Sequence, residues 1–178
     1  AVSLIILDRD GVINRDSDDF IKSPAEWEPI EGSLEAIARL NHAGYRVVVL
    51  TNQPGIAQGL LNVDTLTRIH SKMRRMLAQV GGKIESILFC PHEAEEDCEC
   101  RQLKDGAYSE LATRLRLNLT GVPAVGNSLQ AILAAQAAGV SPILVKTGKG
   151  QLTLDKNPDI TAPIFENLYD AAKFIISE

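Results

Sequence analysis

Two carboxylates, Asp8 and Asp10, stand two residues apart in Asp8-Arg9-Asp10-Gly11, directly after the apolar run Leu4-Ile5-Ile6-Leu7. An aspartate presented at the end of a strand can attack an electrophilic phosphorus. A second carboxylate beside it can carry the leaving-group proton. Gly11 permits the sharp turn that such a presentation needs. The same tetrapeptide is also an ordinary turn of turn-forming residues, and alone it does not decide between the two. Thr51-Asn52-Gln53-Pro54-Gly55 follows a second apolar run, Val47-Val48-Val49-Leu50. Its hydroxyl, amides and loop N–H groups suit the oxygens of a phosphoryl group, although such residues are common in any loop after a strand.

Cys90-Pro91-His92 is followed, five residues later, by Cys98-Glu99-Cys100. Three thiolates and an imidazole make a closed tetrahedral zinc site of the structural kind. The alternative, three buried thiols and a surface histidine, fits poorly with Pro91 and with Glu93, Glu95, Glu96, Asp97 and Glu99 in the same segment. All three cysteines of the chain lie here, an odd number that does not suit a disulfide framework. Arg101 follows the last of these ligands, so a bound metal would fix its direction and let its guanidinium grip a phosphate or substrate hydroxyls. Unanchored, it is a solvated surface charge. His42 and His70 fall in helical segments and read as packing or surface residues. Lys146-Thr147-Gly148-Lys149-Gly150 lacks the spacing of a Walker A loop.

These groups need a scaffold, and the apolar pattern supplies one. Short runs at 4–7, 47–50, 87–89, 122–125 and 143–145 read as strands covered on both faces. Between them lie segments of helical period. Leu34, Ile37 and Leu40 form one stripe, closed by Gly44. Leu66, Ile69, Met73, Leu77 and Val80 form another, with Asp64 as candidate N-cap and Gly81-Gly82 as its stop. Tyr108, Leu111 and Leu115 line a third helix, Ile132 to Ala138 a fourth, and Leu168 to Ile176 a last one. The stretch from Gly148 to Pro163 reads as a surface excursion. Alternating strands and helices predict a doubly wound α/β fold in a single domain over residues 1–178. In such folds ligands bind at the carboxyl ends of the strands, where every unusual cluster above falls.

The chain has 178 residues with 45 % hydrophobic and 23 % charged, too apolar for a disordered chain and long enough to bury a core. Its 18 basic and 23 acidic residues give a net charge of −5, with no cationic excess to neutralise a nucleic-acid backbone. No apolar run approaches the ~18 residues of a membrane span, and the start has no signal-peptide pattern. A cytoplasmic monomer without nucleic-acid or membrane partners is the expectation.

Taken in order, Leu7-Asp8-Arg9-Asp10-Gly11-Val12-Ile13-Asn14, Thr51-Asn52-Gln53-x-Gly55-Ile56-Ala57, the Cys-x-His…Cys-x-Cys-Arg block and Val145-Lys146-Thr147-Gly148-Lys149-Gly150 resemble the haloacid-dehalogenase superfamily. More narrowly, the chain resembles its phosphatases of heptose 1,7-bisphosphate in lipopolysaccharide-core synthesis, over almost its whole length. The resemblance implies a Mg²⁺-dependent sugar-phosphate phosphatase without a large cap domain. Asp8 would be the nucleophile and Asp10 the general acid and base. Mg²⁺ would sit on Asp8, the backbone carbonyl of Asp10 and Asn127. Thr51 and Asn52 would meet the phosphoryl group. Asp16, Ser17, Asp18 and Asp19, together with Gln53, Pro54, Arg101 and Gln102, would fall in the substrate-contacting segments. Cys90, His92, Cys98 and Cys100 would hold zinc.

Three departures stand out. Gln102-Leu103 replaces the family's Lys-Pro after the arginine, Asn127 replaces a Mg²⁺-binding aspartate, and Gln130-Ala131 stands where Arg-Asp is common. Lys104 is the nearest replacement cation, and Pro54 replaces a usual serine. Weakened turnover is therefore expected. The alternatives are a histidinol-phosphate phosphatase, whose zinc block is similar, and a non-catalytic relative that binds a phosphosugar or a protein partner.

Overall fold

Hydrophobic residues on both faces of a strand require cover on both sides, and the computed structural model, which describes residues 3–91 and 106–178, supplies it. Six parallel strands form the sheet: β1 (Ser3–Leu7), β2 (Tyr45–Asn52), β3 (Ser86–Cys90), β4 (Pro123–Gly126), β5 (Ser141–Val145) and β6 (Ile164–Phe165). Their spatial order is β3-β2-β1-β4-β5-β6. Six α-helices connect or follow them: α1 (Ser33–His42), α2 (Val63–Gln79), α3 (Gly106–Leu115), α4 (Leu129–Ala137), α5 (Gly150–Lys156) and α6 (Leu168–Ser177). Ile5, Leu7, Val47 and Val49 pack on one face with residues of α1, α2 and α6. Leu4, Ile6, Val48 and Leu50 pack on the other with α3 and α4. No helix among the described residues is long and apolar enough to cross a membrane.

Three local expectations are corrected. The N-cap of α2 is Asn62, whose Oδ1 accepts from the Thr65 N–H at 2.8 Å, two residues before Asp64. An amide oxygen serves the open helix turn as a carboxylate would, so Asn62 caps as well as the expected Asp64 could have done. Val80 lies past the end of that helix and is exposed. The stretch from Gly148 to Pro163 is no mere excursion. It carries α5, and Ile160 and Leu154 pack on the buried set Ile132, Leu144 and Ala162. It leads into the sixth strand, whose two residues are too few to show a period.

Sheet order fixes where a site can lie. β1 pairs with β2 on one side and β4 on the other, and Leu7 is in register with both Val49 and Val125. The chain therefore winds outward in one direction, returns, and winds in the other, leaving a crevice at the carboxyl ends of β1 and β4.

Candidate active site

Asp8 and Asp10 leave β1 into that crevice. The turn after them is tied tightly: the Arg9 carbonyl accepts from the Ile13 N–H at 2.8 Å, and the Gly11 N–H donates to the Asn14 carbonyl at 2.8 Å. Gly11 sits at φ +84°, and a Cβ there would lie 1.7 Å from Asn127 Nδ2. Glycine is required twice over, for its conformation and for the room it leaves. Asn127, just past β4 and itself buried, is thus brought against the Asp8–Gly11 turn. Thr147 Oγ1 donates to the Gly11 carbonyl at 2.7 Å and Thr153 Oγ1 to the Asn127 carbonyl at 2.9 Å, pinning the turn from the β5 side.

The two carboxylates differ in surroundings. Burial, with the Asp10 charge second, pushes the Asp8 carboxyl up to about 7, against the Arg9 N–H and guanidinium, which pull it down. The Arg9 N–H donates to Asp8 Oδ1 at 2.9 Å. Asp10 Oδ1 accepts from Arg9 Nε at 2.8 Å and Asn14 Nδ2 at 3.0 Å, while Oδ2 meets Gln53 Nε2 at 3.3 Å. Gln53 Nε2 also donates to Thr51 Oγ1 at 2.9 Å, joining the loop after β2 to the carboxylate. Gln53 is held in turn by its N–H on the Cys90 carbonyl at 2.7 Å. The structure therefore brings Asp8, Asp10, Thr51, Gln53 and Asn127 to one seam, with Asn52 ending β2 beside them.

An under-neutralised carboxyl, a second carboxylate and a buried amide, all oxygen donors, suit a hard divalent cation such as Mg²⁺. Burial first and the Asp10 charge second raise the Asp8 carboxyl, and a cation bound beside it would favour the ionised form.

Beside the turn, a cavity of about 500 Å³ is lined by residues that include Asp16, Ser17, Asp18, Glu31, Thr147, Gly148 and Lys149. Asp19 is exposed and outside that lining, and Pro54 lies in the loop after β2. Lys149 Nζ lies 3.5 Å from Asp16 and 3.3 Å from Asp18. Burial alone would lower the Lys149 ammonium, but the charges of Asp16 and Asp18 outweigh it and raise it. Lys146 instead pairs with Glu166 at 3.1 Å on the surface. His92, Cys98, Cys100, Arg101, Gln102 and Lys104 lie outside the described residues. Cys90 is buried at the end of β3 and disulfide-bonded, which corrects the expectation that an odd set of cysteines forms no disulfide; zinc takes a thiolate, so a zinc site here requires Cys90 reduced.

Sequence reading left open which of Lys104, Lys146 and Lys149 faces the pocket, where the structure puts Lys149 at the cavity, and it missed the two residues behind Asp10, Arg9 and His70. Arg9 is fully buried, and its Nη1 lies 3.2 Å from His70 Nε2. His70 shares the buried face of α2 with Leu66, Ile69, Met73 and Leu77, and that stripe position was the available signal.

The profile of the Polynucleotide kinase 3 phosphatase family matches residues 3–139. The chain is 49 % identical over 99 % of both lengths to the D-glycero-beta-D-manno-heptose-1,7-bisphosphate 7-phosphatase of Bordetella bronchiseptica. It is similar to the crystal structure of the D,D-heptose 1,7-bisphosphate phosphatase from B. bronchiseptica, which is complexed with magnesium and phosphate. There the TM-score is 0.96 and the identity 47 %, with 99 % of each chain covered. A haloacid dehalogenase-like family hydrolase from Streptococcus pneumoniae, 11 % identical with 98 % of each chain covered and a TM-score of 0.58, shares the fold alone. With carboxylates, amide and loops at the β1–β4 crevice, and with identity sustained along its full length, the chain belongs to the D-glycero-beta-D-manno-heptose-1,7-bisphosphate 7-phosphatase family.

Proposed function

We propose that this chain, as a single haloacid-dehalogenase-type domain in the cytoplasm, removes the 7-phosphate of D-glycero-D-manno-heptose 1,7-bisphosphate in a Mg²⁺-dependent reaction. The observation that carries the reading is the pair at the end of β1. Asp8 lies at the switch point with its carboxyl raised, and Asp10 beside it is already hydrogen-bonded on both oxygens. The full-length similarity to heptose bisphosphatases supports the choice of substrate.

Asp8 attacks the 7-phosphorus, forming an aspartyl-phosphate as the bond from phosphorus to the sugar oxygen breaks. Asp10 gives its proton to the departing sugar oxygen, then takes one from the water that attacks the same phosphorus. The Asp8–phosphorus bond breaks and inorganic phosphate leaves. Thr51 and Asn52 lie where their polar groups and the loop N–H groups would steady the phosphoryl oxygens. Mg²⁺ held by Asp8, the Asp10 carbonyl and the Asn127 side chain would neutralise phosphoryl charge. The cavity beside Asp16, Ser17, Asp18 and Lys149 is the place for the rest of the sugar. Zinc on reduced Cys90 with His92, Cys98 and Cys100 would complete the substrate side by aiming Arg101.

Phosphate release from the heptose bisphosphate, with histidinol phosphate and a Mg²⁺-free arm alongside, tests the reading. Turnover of the bisphosphate that needs Mg²⁺ is expected. Preference for histidinol phosphate, or no release from either, overturns it.

A further inference from the structure

Arg9 lies between the two carboxylates in sequence, yet its side chain is sealed from solvent. Its fork closes on one oxygen of Asp10: Nε lies 2.8 Å and Nη2 2.8 Å from Oδ1. The remaining nitrogen, Nη1, lies 3.2 Å from His70 Nε2. A guanidinium has five donors and no acceptor, so His70 Nε2 must be the acceptor and its ring proton must sit on Nδ1. A neutral ring can do this, and burial, with the Arg9 charge second, pulls the His70 imidazolium down to about 3.

The two oxygens of Asp10 are left unequal. Oδ1 accepts from Arg9 Nε and from Asn14 Nδ2 at 3.0 Å, with Arg9 Nη2 beside it as an ion-pair contact and not a hydrogen bond, so its lone pairs are filled. Oδ2 has one longer contact, from Gln53 Nε2 at 3.3 Å. An acid that must give a proton and later take one needs an oxygen with free lone pairs and a fixed direction. Without a partner behind it, a long arginine side chain loses its preferred geometry, and the carboxylate it grips loses a rotamer with it.

We infer that Arg9, anchored by His70 on α2, is a positioning residue that turns Asp10 so that Oδ2 faces the leaving group. His70 acts only through Arg9. The inference deepens the phosphatase reading and rests on it.

Its effect must be felt where leaving-group protonation matters. An alkoxide leaves only with a proton, whereas 4-nitrophenolate leaves without one. The test compares kcat/KM, which reports only the step in which the leaving group departs, for the heptose bisphosphate and for 4-nitrophenyl phosphate in wild type, His70→Phe and His70→Gln. Wild-type release from the sugar substrate judges the phosphatase reading; the ratio between substrates across variants judges this inference. His70→Phe should lower kcat/KM on the sugar phosphate at least ~10-fold, a fraction of what a general acid contributes, and on the aryl phosphate less than about 3-fold. His70→Gln, whose side-chain oxygen can accept from Arg9, should recover most of the loss. Equal losses on both substrates, or no loss on either, overturn the inference. A measurement on wild type stands beside these variants should His70→Phe not fold. The ¹⁵N chemical shifts of His70 must show an unprotonated Nε2 near neutral pH, and a protonated Nε2 overturns the anchor.

Discussion

The backbone N–H of Asp8 donates to the carbonyl of Val125 at 3.0 Å. That bond carries the β1–β4 pairing one residue beyond the Leu7–Val125 register and sets Asp8 beside Gly126. Asn127 follows Gly126 and packs against Gly11, so the backbone itself joins carboxylate and amide across the seam. The chemistry proposed for Asp8 therefore depends on a strand pairing that forms late in sequence, between residues more than a hundred positions apart.

Replacing Asp8 by Asn separates chemistry from fold. An amide cannot form the acyl-phosphate, so turnover should vanish with the fold intact. Stability should move the other way in metal-free buffer. The folded Asp8 carboxyl titrates near 7 against an ordinary unfolded carboxylate. A raised folded value stabilises the protein fully only at pH below the unfolded value. That contribution is lost as pH rises from about 4 through 7. Asn has no such loss. In EDTA, Tm of Asp8→Asn should exceed wild type at pH 8 by about 5 °C, the order expected for ~2 kcal/mol at this chain length, and the gap should close toward pH 4. A gap that is absent at pH 8, or constant with pH, would show that Asp8 is not held in surplus of negative charge.

The strands and the clusters at their ends were legible because buried parallel strands write themselves as continuous apolar runs. Leu4–Leu7 and Val47–Leu50 need no context to be read. β6 was not legible, since Ile164 and Phe165 alone carry no period, and α5 hides in a polar segment whose buried residues are few. Asp8 and Asp10 could be found from spacing. The oxygen-by-oxygen environment of Asp10 could not, because Arg9 and Asn14 reach it from the turn after β1 and Gln53 from the loop after β2, while His70 on α2 stands behind Arg9. Nor could sequence decide between Lys146 and Lys149, which differ only in which acid each one meets after folding.

Lys149 should act on binding and not on chemistry. Its ammonium stands at the cavity with Asp16 and Asp18, in position to exchange those carboxylates for an anionic group of the substrate. Lys149→Ala should raise KM for the bisphosphate about 10-fold, near 1.4 kcal/mol, with kcat within about 2-fold. Steady-state kinetics decide this, and a fall in kcat at constant KM would move Lys149 to the reacting phosphoryl group.

Gly11 faces two costs on gaining a methyl group. Its φ of +84° is unfavourable for an L side chain, and the new carbon would collide with Asn127 Nδ2. Gly11→Ala should destabilise by on the order of 2–4 kcal/mol, read by urea unfolding. Trimming Asn127 to Ala in the same chain should return the steric part and leave the conformational part. Additive effects in that double-mutant cycle would deny the contact.

Zinc should follow the redox state of Cys90. Protein purified under a thiol reductant without added metal should carry about one zinc per chain, as a closed four-ligand site does. Cys90→Ser should lose most of it. Elemental analysis of both proteins decides the matter, and zinc-free reduced wild type would remove the site from the reading.

Asn127 sets the last prediction, since it brings an amide where the family resemblance implies a Mg²⁺-binding aspartate. A neutral oxygen attracts a divalent cation less than a carboxylate does. Thr153 fixes the Asn127 backbone and the Gly11 turn fixes its side chain, so Asp can enter with little movement. It would add negative charge beside a carboxyl already pushed up to about 7. Asn127→Asp should therefore be less stable than wild type in EDTA at pH 8 and regain that stability with Mg²⁺. The Mg²⁺ concentration for half-maximal phosphate release should fall. Gln102→Lys should mainly raise kcat by restoring a cation to the phosphoryl group, and the double variant should exceed either by at least ~10-fold over wild type, about 1.4 kcal/mol of barrier. Mg²⁺ titrations of phosphate release in wild type and the three variants measure each effect. If wild type matches its variants at every Mg²⁺ level, another group supplies the charge, Lys104 being the first to replace, and the expectation of weakened turnover fails.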